Sequence, residues 1–227
     1  MKTLSNVALQ LSMATLVGLW GASSALAQDV KPGDPNAAKG KIAMCLGCHG
    51  IVGYRSSFPE IHRVPMISGQ SAKYIESALH AYQKGDRKHP TMRGIATSLT
   101  DQDIADIAAY YSQSGKDLPP TKPQPTSHTA EAEALVKKGN CLACHGEGLN
   151  KPIDPSYPKL AGQYSDYVYV ALKSYQTDNN ARIGRSNPIM GAQAKLFTLP
   201  ELKILAEYVG SLQGDLRTVP ESPIHKP

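Results

Sequence analysis

Two short strings hold all four cysteines of the 227-residue chain, and each places a histidine directly after its second cysteine. They read Cys45-Leu46-Gly47-Cys48-His49 and Cys141-Leu142-Ala143-Cys144-His145. Thiols three positions apart lie on one face of a helical turn, where both can add to the two vinyl groups of one porphyrin. The histidine then supplies an axial ligand to the iron. The pattern predicts two covalently bound haem c groups, anchored by Cys45, Cys48, Cys141 and Cys144 and ligated by His49 and His145.

Three other uses of the cysteines remain open at this stage. Two structural disulfides would suit an oxidising compartment, but they leave the histidine after each pair unexplained. A zinc site would need the two pairs to meet across the long segment that separates them. A thioredoxin-like redox site needs a βαβ context, and no alternating strand pattern surrounds either pair.

The first 27 residues have the pattern of an export signal. Lys2 precedes a mostly apolar stretch at 7–20, and Ala25-Leu26-Ala27 fits a cleavage site. An uncleaved membrane anchor is the alternative, but the stretch is short and interrupted by polar residues. We therefore expect a periplasmic protein cleaved after Ala27, without a later membrane span. Its remaining net charge of +4, after loss of Lys2 from the chain's +5, does not indicate a nucleic-acid partner.

The rest of the chain repeats one unit twice. The attachment motifs align at an offset of 96, and a Pro-x-x-x-Gly-Gln segment at 65–70 aligns with 158–163 at an offset of 93. A Pro-x-Met segment ending at Met92 aligns with one ending at Met190 at an offset of 98. The repeat predicts domains at 28–115 and 131–213, joined by a proline-rich linker at 116–130 and followed by an irregular tail at 214–227.

The regular segments read as helices, so the predicted fold class is all-α. Asp34-Pro35 fits a helix start, with the helix running towards Cys45. Ser71 is placed to cap a helix over 72–83 that carries Ile75, Leu79 and Tyr82 on one face. Thr100 and Thr198 each begin a capping box ahead of a helix with regularly spaced apolar residues.

The repeat also selects candidates for the second axial ligand of each iron. Met92 and Met190 align with each other, each two residues after a proline, on what we expect to be a loop entering the haem pocket. Met44 directly precedes Cys45 in the attachment motif, so it is poorly placed to reach the opposite face of the haem. Met66 aligns with a lysine in the second repeat, so we interpret both methionines as packing residues. His89 lies near Met92 and remains an alternative ligand, although its counterpart is Asn187.

Taken together, these motifs resemble the dihaem cytochrome c4 family. The strings Cys-Leu-Gly-Cys-His-Gly, His-Pro-Thr-Met-Arg-Gly-Ile-Ala and Asp-Ile-Ala-Asp-Ile-Ala-Ala-Tyr-Tyr carry the resemblance, which covers roughly residues 34–212. It implies two class I cytochrome c domains related by pseudo-twofold symmetry, with haem groups that approach through their propionate edges. The segment at 51–66 departs from the family by its length, and we expect a plain surface loop there, with a haem cover or a docking surface as alternatives.

The resemblance implies an electron carrier and not an enzyme. Its partners would be the quinol-oxidising cytochrome bc complex and a haem–copper terminal oxidase, with peripheral membrane association allowed and no small-molecule substrate or nucleic acid. Two alternatives stay open. One is a dihaem subunit of a periplasmic dehydrogenase, such as a sulfide-oxidising flavocytochrome. The other is an enzyme acting on thiosulfate or peroxide, which would need an open iron or an unusual ligand.

Overall fold

The computed structural model describes residues 30–220. The expected export signal at 1–27 and the last seven residues of the expected tail lie outside that range. Within it, helices account for nearly all regular structure, and the only strands are four segments of two residues each. The all-α fold class is confirmed.

The first repeat builds five helices around one apolar core. The long helices α3 and α5 pack against each other, α1 packs on α5, and α4 packs on α3. Ile75, Leu79 and Ile104 lie in this core, and Tyr82 packs against it, as the helical spacing predicted. The helices are α1 (Pro35–Ala38), α2 (Ala43–His49), α3 (Ala72–Lys84), α4 (Pro90–Thr97) and α5 (Asp101–Gln113).

The second repeat builds the same arrangement. Its last helix packs against α8 and α6, with Leu202, Leu205 and Val209 in its apolar cores. Both expected capping boxes are present, on Thr100 with Asp103 and on Thr198 with Glu201. The helices are α6 (Thr129–Lys138), α7 (Leu142–His145), α8 (Ser165–Tyr175), α9 (Pro188–Ala194) and α10 (Leu199–Ser211), with a 3-10 turn at Glu147–Leu149.

The helix expected to run from Pro35 towards Cys45 is instead two helices. α1 ends at Ala38, and α2 begins at Ala43, after a turn that contains Gly40. Glycine is a poor helix former, and Ile42, 3% exposed, turns into the core at this point. The break gives the attachment motif a short helix of its own.

Two glutamines dock the repeats against each other in a reciprocal manner. The amide of Gln163 bonds to both backbone groups of Met66, with Nε2 donating to the carbonyl at 2.9 Å and Oε1 accepting from the N–H at 3.0 Å. Gln70 makes the same two bonds to Lys159, both at 3.0 Å. Because Met66 and Lys159 are equivalent positions of the repeat, the contact has the self-complementary form of a twofold interface.

The glycine before each of these glutamines has a backbone conformation that other residues rarely adopt. Gly69 has φ +82° and Gly162 has φ +77°. A Cβ on Gly69 would also lie 2.3 Å from the carbonyl oxygen of Asp215. The Gly-Gln pair of the repeat is therefore a turn that aims a buried amide at the other domain.

A short antiparallel pair joins the domains at a second place. Strand β3 (Arg87–Lys88) of the first repeat pairs with β4 (Gly184–Arg185) of the second, and Arg87 lies opposite Arg185. The other pair, β1 (Arg55–Ser56) with β2 (His62–Arg63), is a hairpin within the first repeat.

That hairpin makes the segment at 51–66 more than the plain surface loop expected from the sequence. Strand β2 packs on α8 of the second domain. Arg63 donates from its Nε to both carboxylate oxygens of Asp166 at 2.9 and 3.0 Å, and from Nη2 to Gln124 Oε1 at 2.6 Å. Lys173 pairs with Glu60 at 2.7 Å. The second repeat has no equivalent hairpin, so these contacts break the pseudo-symmetry.

The connecting and C-terminal segments also lie against the domains. Gln124, in the proline-rich stretch, donates to the carbonyl of Gln163 at 3.0 Å, and helix α6 already begins at Thr129. Residues 214–220 form no helix, but Leu216 is buried beside Met66 and Tyr164, and Arg217 donates its backbone N–H to Ser68. These segments help to fix the two domains as one unit.

Candidate haem-binding sites

The histidine of each attachment motif is oriented by a proline carbonyl. His49 Nδ1 lies 2.8 Å from the Pro65 oxygen, and His145 Nδ1 lies 3.0 Å from the Pro158 oxygen. A carbonyl only accepts hydrogen bonds, so Nδ1 carries the proton and Nε2 keeps its lone pair. Burial lowers the pKa of both imidazoles. Burial thus favours the neutral imidazole, and the proline carbonyl favours the tautomer that binds a metal through Nε2.

The four cysteines form no disulfide bonds with one another. Cys45 and Cys48 lie on helix α2, whereas Cys144 lies on α7 with Cys141 at its N-cap. Burial raises the pKa of the Cys45 thiol to about 11, against an opposing hydrogen bond from Tyr111. No group of three or more His, Cys, Asp and Glu side chains among residues 30–220 is arranged to hold a metal ion. The zinc alternative, which needs the two cysteine pairs to meet, receives no support.

The two candidate methionines lie on helices, and the expectation of a loop is wrong. Met92 is the third residue of α4 and Met190 the third of α9, each after a proline at the first helical position. Proline there starts a helix because its ring presets φ and its missing N–H needs no partner. The Met190 N–H donates to Asn187 Oδ1 at 2.9 Å, and the Met92 N–H to His89 Nδ1 at 3.4 Å. Each methionine is thus fixed by a cap.

The competing side chains have other contacts. His89 caps α4, and its ring lies edge-on to Phe58 with centroids 5.5 Å apart. Met66 is 2% exposed and packs between the domains with Tyr164 and Leu216. Met44 is 44% exposed on the attachment helix. Met92, by contrast, packs with Cys45 against the same apolar core.

These residues fit a covalently bound haem in each repeat. Every repeat offers two unpaired thiols on one turn, an imidazole with Nε2 available, and a capped methionine on a following helix. Soft thioether and imidazole are ligands that haem iron takes in electron-transfer proteins. Nowhere between residues 30 and 220 is a helix long and apolar enough to cross a bilayer.

The family model described as Cytochrome c matches the chain twice, over residues 37–114 and 129–213. Cytochrome c4 of Azotobacter vinelandii is 30% identical over 200 residues, covering 79% of this chain and 90% of the relative. The chain belongs to the cytochrome c4 family. It therefore carries two covalently bound haem c groups, which the two Cys-x-x-Cys-His motifs fit.

Two further comparisons extend this result. The crystal structure of reduced recombinant cytochrome c4 from Pseudomonas stutzeri superposes with a TM-score of 0.62 at 27% identity, covering 79% of this chain and 99% of that one. A protein named thiosulfate dehydrogenase electron acceptor, from Thiomonas intermedia, is 27% identical over 212 residues, covering 88% of this chain and 89% of the relative. As a cytochrome c4, the chain is a dihaem electron carrier and not an enzyme.

Sequence reasoning missed several residues that shape the sites. The repeat aligns Pro65 with Pro158 and Gln70 with Gln163, but it does not reveal what these residues do. Only the folded chain shows that the proline carbonyls accept hydrogen bonds from the histidines and that the glutamines contact the other domain. Arg87 and Arg185, which oppose each other between the domains, were not singled out. The sequence does carry a signal for these two arginines. They align with each other at an offset of 98, the same offset at which Met92 aligns with Met190.

Proposed function

We propose that this cytochrome shuttles electrons through the periplasm from the quinol-oxidising cytochrome bc complex to a haem–copper terminal oxidase. In this proposal the export signal is removed after Ala27, and the mature chain folds as domains 28–115 and 131–213. Haem c, when bound, supplies a one-electron ferric–ferrous couple. The polypeptide then has to hold the group, set its potential and present a surface to each partner.

The proposed axial ligands are His49 with Met92 and His145 with Met190. The observation that supports the proposal is that both repeats provide the same two groups: an imidazole hydrogen-bonded through Nδ1 and a methionine whose backbone N–H is bonded to a helix cap. A site with both positions filled by protein has no place for a substrate. A thioether ligand also favours the ferrous state and raises the potential, which suits the oxidase end of a respiratory chain.

The proposal is tested with the purified holoprotein. A potentiometric titration should give two one-electron waves at positive potential. In stopped-flow experiments, a cytochrome bc complex with quinol should reduce the protein, and the oxidase should reoxidise it, both at rates that sustain turnover. A wave at strongly negative potential, or no reduction by the cytochrome bc complex, would contradict the proposal.

A second candidate is an electron acceptor for a periplasmic dehydrogenase. The relative from Thiomonas intermedia is named as the acceptor of thiosulfate dehydrogenase. Reduction by a thiosulfate dehydrogenase with thiosulfate, under conditions where the quinol-oxidising complex fails, would select this candidate. Reduction by both donors would mean that the protein accepts electrons from the quinol-oxidising complex and from the dehydrogenase.

A further inference from the structure

The helix that carries Met92 is fastened at its C-terminal end by a side chain of the preceding long helix. Gln83, in the last turn of α3, donates from Nε2 to the carbonyl of Ala96 at 2.9 Å and to that of Leu99 at 3.0 Å. These two residues are buried, at 0% and 8% exposed. Buried carbonyls in and just after the last turn of a helix need donors from outside it. One amide of α3 supplies a donor to both.

The second repeat contains the same fastening. Gln176, at the C-cap of α8, donates from Nε2 to the carbonyl of Ala194 at 2.7 Å and to that of Phe197 at 2.8 Å. Both of these residues are buried as well. Helix α9, which carries Met190, is therefore held at its end in the same way as α4.

The fastening is the same although the segments that lead to the two helices differ in length. Gln83 and Gln176 align at an offset of 93, whereas Met92 and Met190 align at an offset of 98. The difference between the two offsets means that the second repeat has five more residues between its glutamine and its methionine. Connections of unequal length cannot by themselves place both helices alike. The paired hydrogen bonds fix the end of each helix where the connection does not.

We propose that Gln83 and Gln176 are positioning residues for the two methionine ligands. The N-terminal end of each methionine helix is already held by a cap, His89 on α4 and Asn187 on α9. With a glutamine bound at the other end, the methionine can leave the iron only if its helix shifts or unwinds. The inference rests on the proposed methionine ligation and does not depend on the redox partners.

The ferric state should depend most on this support. Thioether sulfur favours ferrous iron, so its bond to ferric iron is the weaker one. An external imidazole binds ferric iron only in molecules whose methionine has moved away, and its apparent affinity follows the population of that displaced state. Loss of two hydrogen bonds to buried carbonyls makes the displaced state easier to reach. Imidazole affinity therefore measures how firmly each helix holds its thioether.

The test uses the holoprotein variants Gln83→Met and Gln176→Met, which keep a side chain of similar length but lack the donors. Ferric protein is titrated with imidazole, and binding is followed by loss of the long-wavelength sulfur–iron charge-transfer band. In Gln83→Met we expect imidazole to bind about tenfold more tightly at one haem and within about twofold of wild type at the other. Gln176→Met should change the other haem, so the double variant should show both changes.

Gln102→Met is the matched control. Gln102 also joins two parts of the first domain through one amide, since its Nε2 donates to the Lys31 carbonyl at 3.3 Å and to Asp106 Oδ1 at 2.9 Å. These bonds tie the N-terminal segment to α5 and leave the contacts of α4 in place. The substitution should lower the stability of the domain and keep the imidazole affinity of both haem groups within about twofold of wild type.

Two results would overturn the proposal. One is an unchanged imidazole affinity in Gln83→Met, and the other is a Gln102→Met protein that binds imidazole as tightly as Gln83→Met, which would make the effect one of general stability. Should Gln83→Met fail to fold, Gln83→Asn replaces it, because the shorter amide cannot reach both carbonyls. Its imidazole affinity should rise about threefold, and no rise would count against the proposal. A failure of the methionine ligation itself is distinguishable, since wild-type ferric protein would then lack the charge-transfer band.

Discussion

A histidine binds iron through whichever ring nitrogen its surroundings leave free. In this chain the carbonyls of Pro65 and Pro158 accept hydrogen bonds from Nδ1 of His49 and His145. They therefore leave Nε2 as the nitrogen that can bind the metal. The prolines lie 16 and 13 residues after their histidines, so the contact forms only when the chain turns back on itself. Orientation by a second residue of this kind tunes how strongly an imidazole donates to a metal.

The methionine assignment predicts a spectroscopic result for single substitutions. Met92→Ala and Met190→Ala should each remove about half of the weak long-wavelength sulfur–iron charge-transfer band of the ferric holoprotein, because each thioether would serve one iron. Absorption spectra of the oxidised variants measure the loss.

Met44→Ala is the matched control for those variants. Met44 is exposed on the attachment helix, so its removal should leave the band intact. A Met92→Ala protein with the full band, or a Met44→Ala protein with half of it, would remove the assignment.

At the scale of elements, the two capping boxes are the places where local sequence and structure agree most closely. The Asp103 carboxylate accepts from the Thr100 N–H at 2.9 Å, and the Glu201 carboxylate from the Thr198 N–H at 2.7 Å. A hydrogen bond from Lys41, followed by those of Thr100, lowers the pKa of Asp103 to about 2. The Thr198 backbone, followed by Lys138, lowers the pKa of Glu201 to about 2.

These caps predict how stability depends on pH. The folded pKa values lie below the unfolded values of about 4. The contacts of the two carboxylates, with Lys41 and Thr100 for Asp103 and with Thr198 and Lys138 for Glu201, therefore contribute in full above that pH and lose their contribution as pH falls towards 2. Asp103→Asn should lower the free energy of unfolding at pH 7 by about 1 kcal/mol, and Glu201→Gln should lower it in the same direction. Each substitution should flatten the decline of that free energy between pH 5 and 2. Urea titrations of the holoprotein, followed by helical circular dichroism, measure both effects.

Asp117→Asn controls for the loss of a negative charge, because Asp117 is exposed and lies between helices α5 and α6. It should leave the pH profile unchanged. If the stability of Asp103→Asn declined with acid as steeply as that of the wild type, the Asp103 carboxylate would not be a source of the slope.

Other elements show where local patterns were insufficient. Helix α4 begins at Pro90 and carries Met92, although the Pro-x-Met pattern alone predicts a loop. The cap that starts the helix is the side chain of His89, and histidine is not among the residues that commonly cap helices. Local patterns also failed to predict the β1–β2 hairpin and its contacts with the second domain. The partners of Arg63, Gln124 and Asp166, lie 61 and 103 residues away along the chain.

At the scale of the whole molecule, the twofold glutamine contact is one of several contacts that hold the two domains together. The Gln70→Ala/Gln163→Ala variant removes four hydrogen bonds between the domains and leaves buried backbone groups unpaired. We expect docking to weaken by about 1–3 kcal/mol for each residue. Calorimetry should show a single unfolding transition splitting into two, and X-ray scattering should show a larger radius of gyration.

Gln83→Ala provides the matched control. Gln83 donates only within its own domain, to the carbonyls of Ala96 and Leu99 at 2.9 and 3.0 Å. Its loss should lower the stability of the first domain and leave the domains docked. A double variant that kept one transition at the wild-type temperature would show that the glutamines do not control docking.

The sequence alone determined the attachment chemistry, the repeat and most helices. Those depend on residues a few positions apart: two thiols and an imidazole on one turn, apolar residues on one helix face, a threonine three residues before an acid. Which groups meet across the domain boundary depends on how the two halves fold together. Gln163 reaches Met66 over 97 residues, and Arg87 meets Arg185 over a similar distance along the chain. No local pattern encodes such pairs, because buried hydrogen bonds and charges acquire partners only when the two halves dock.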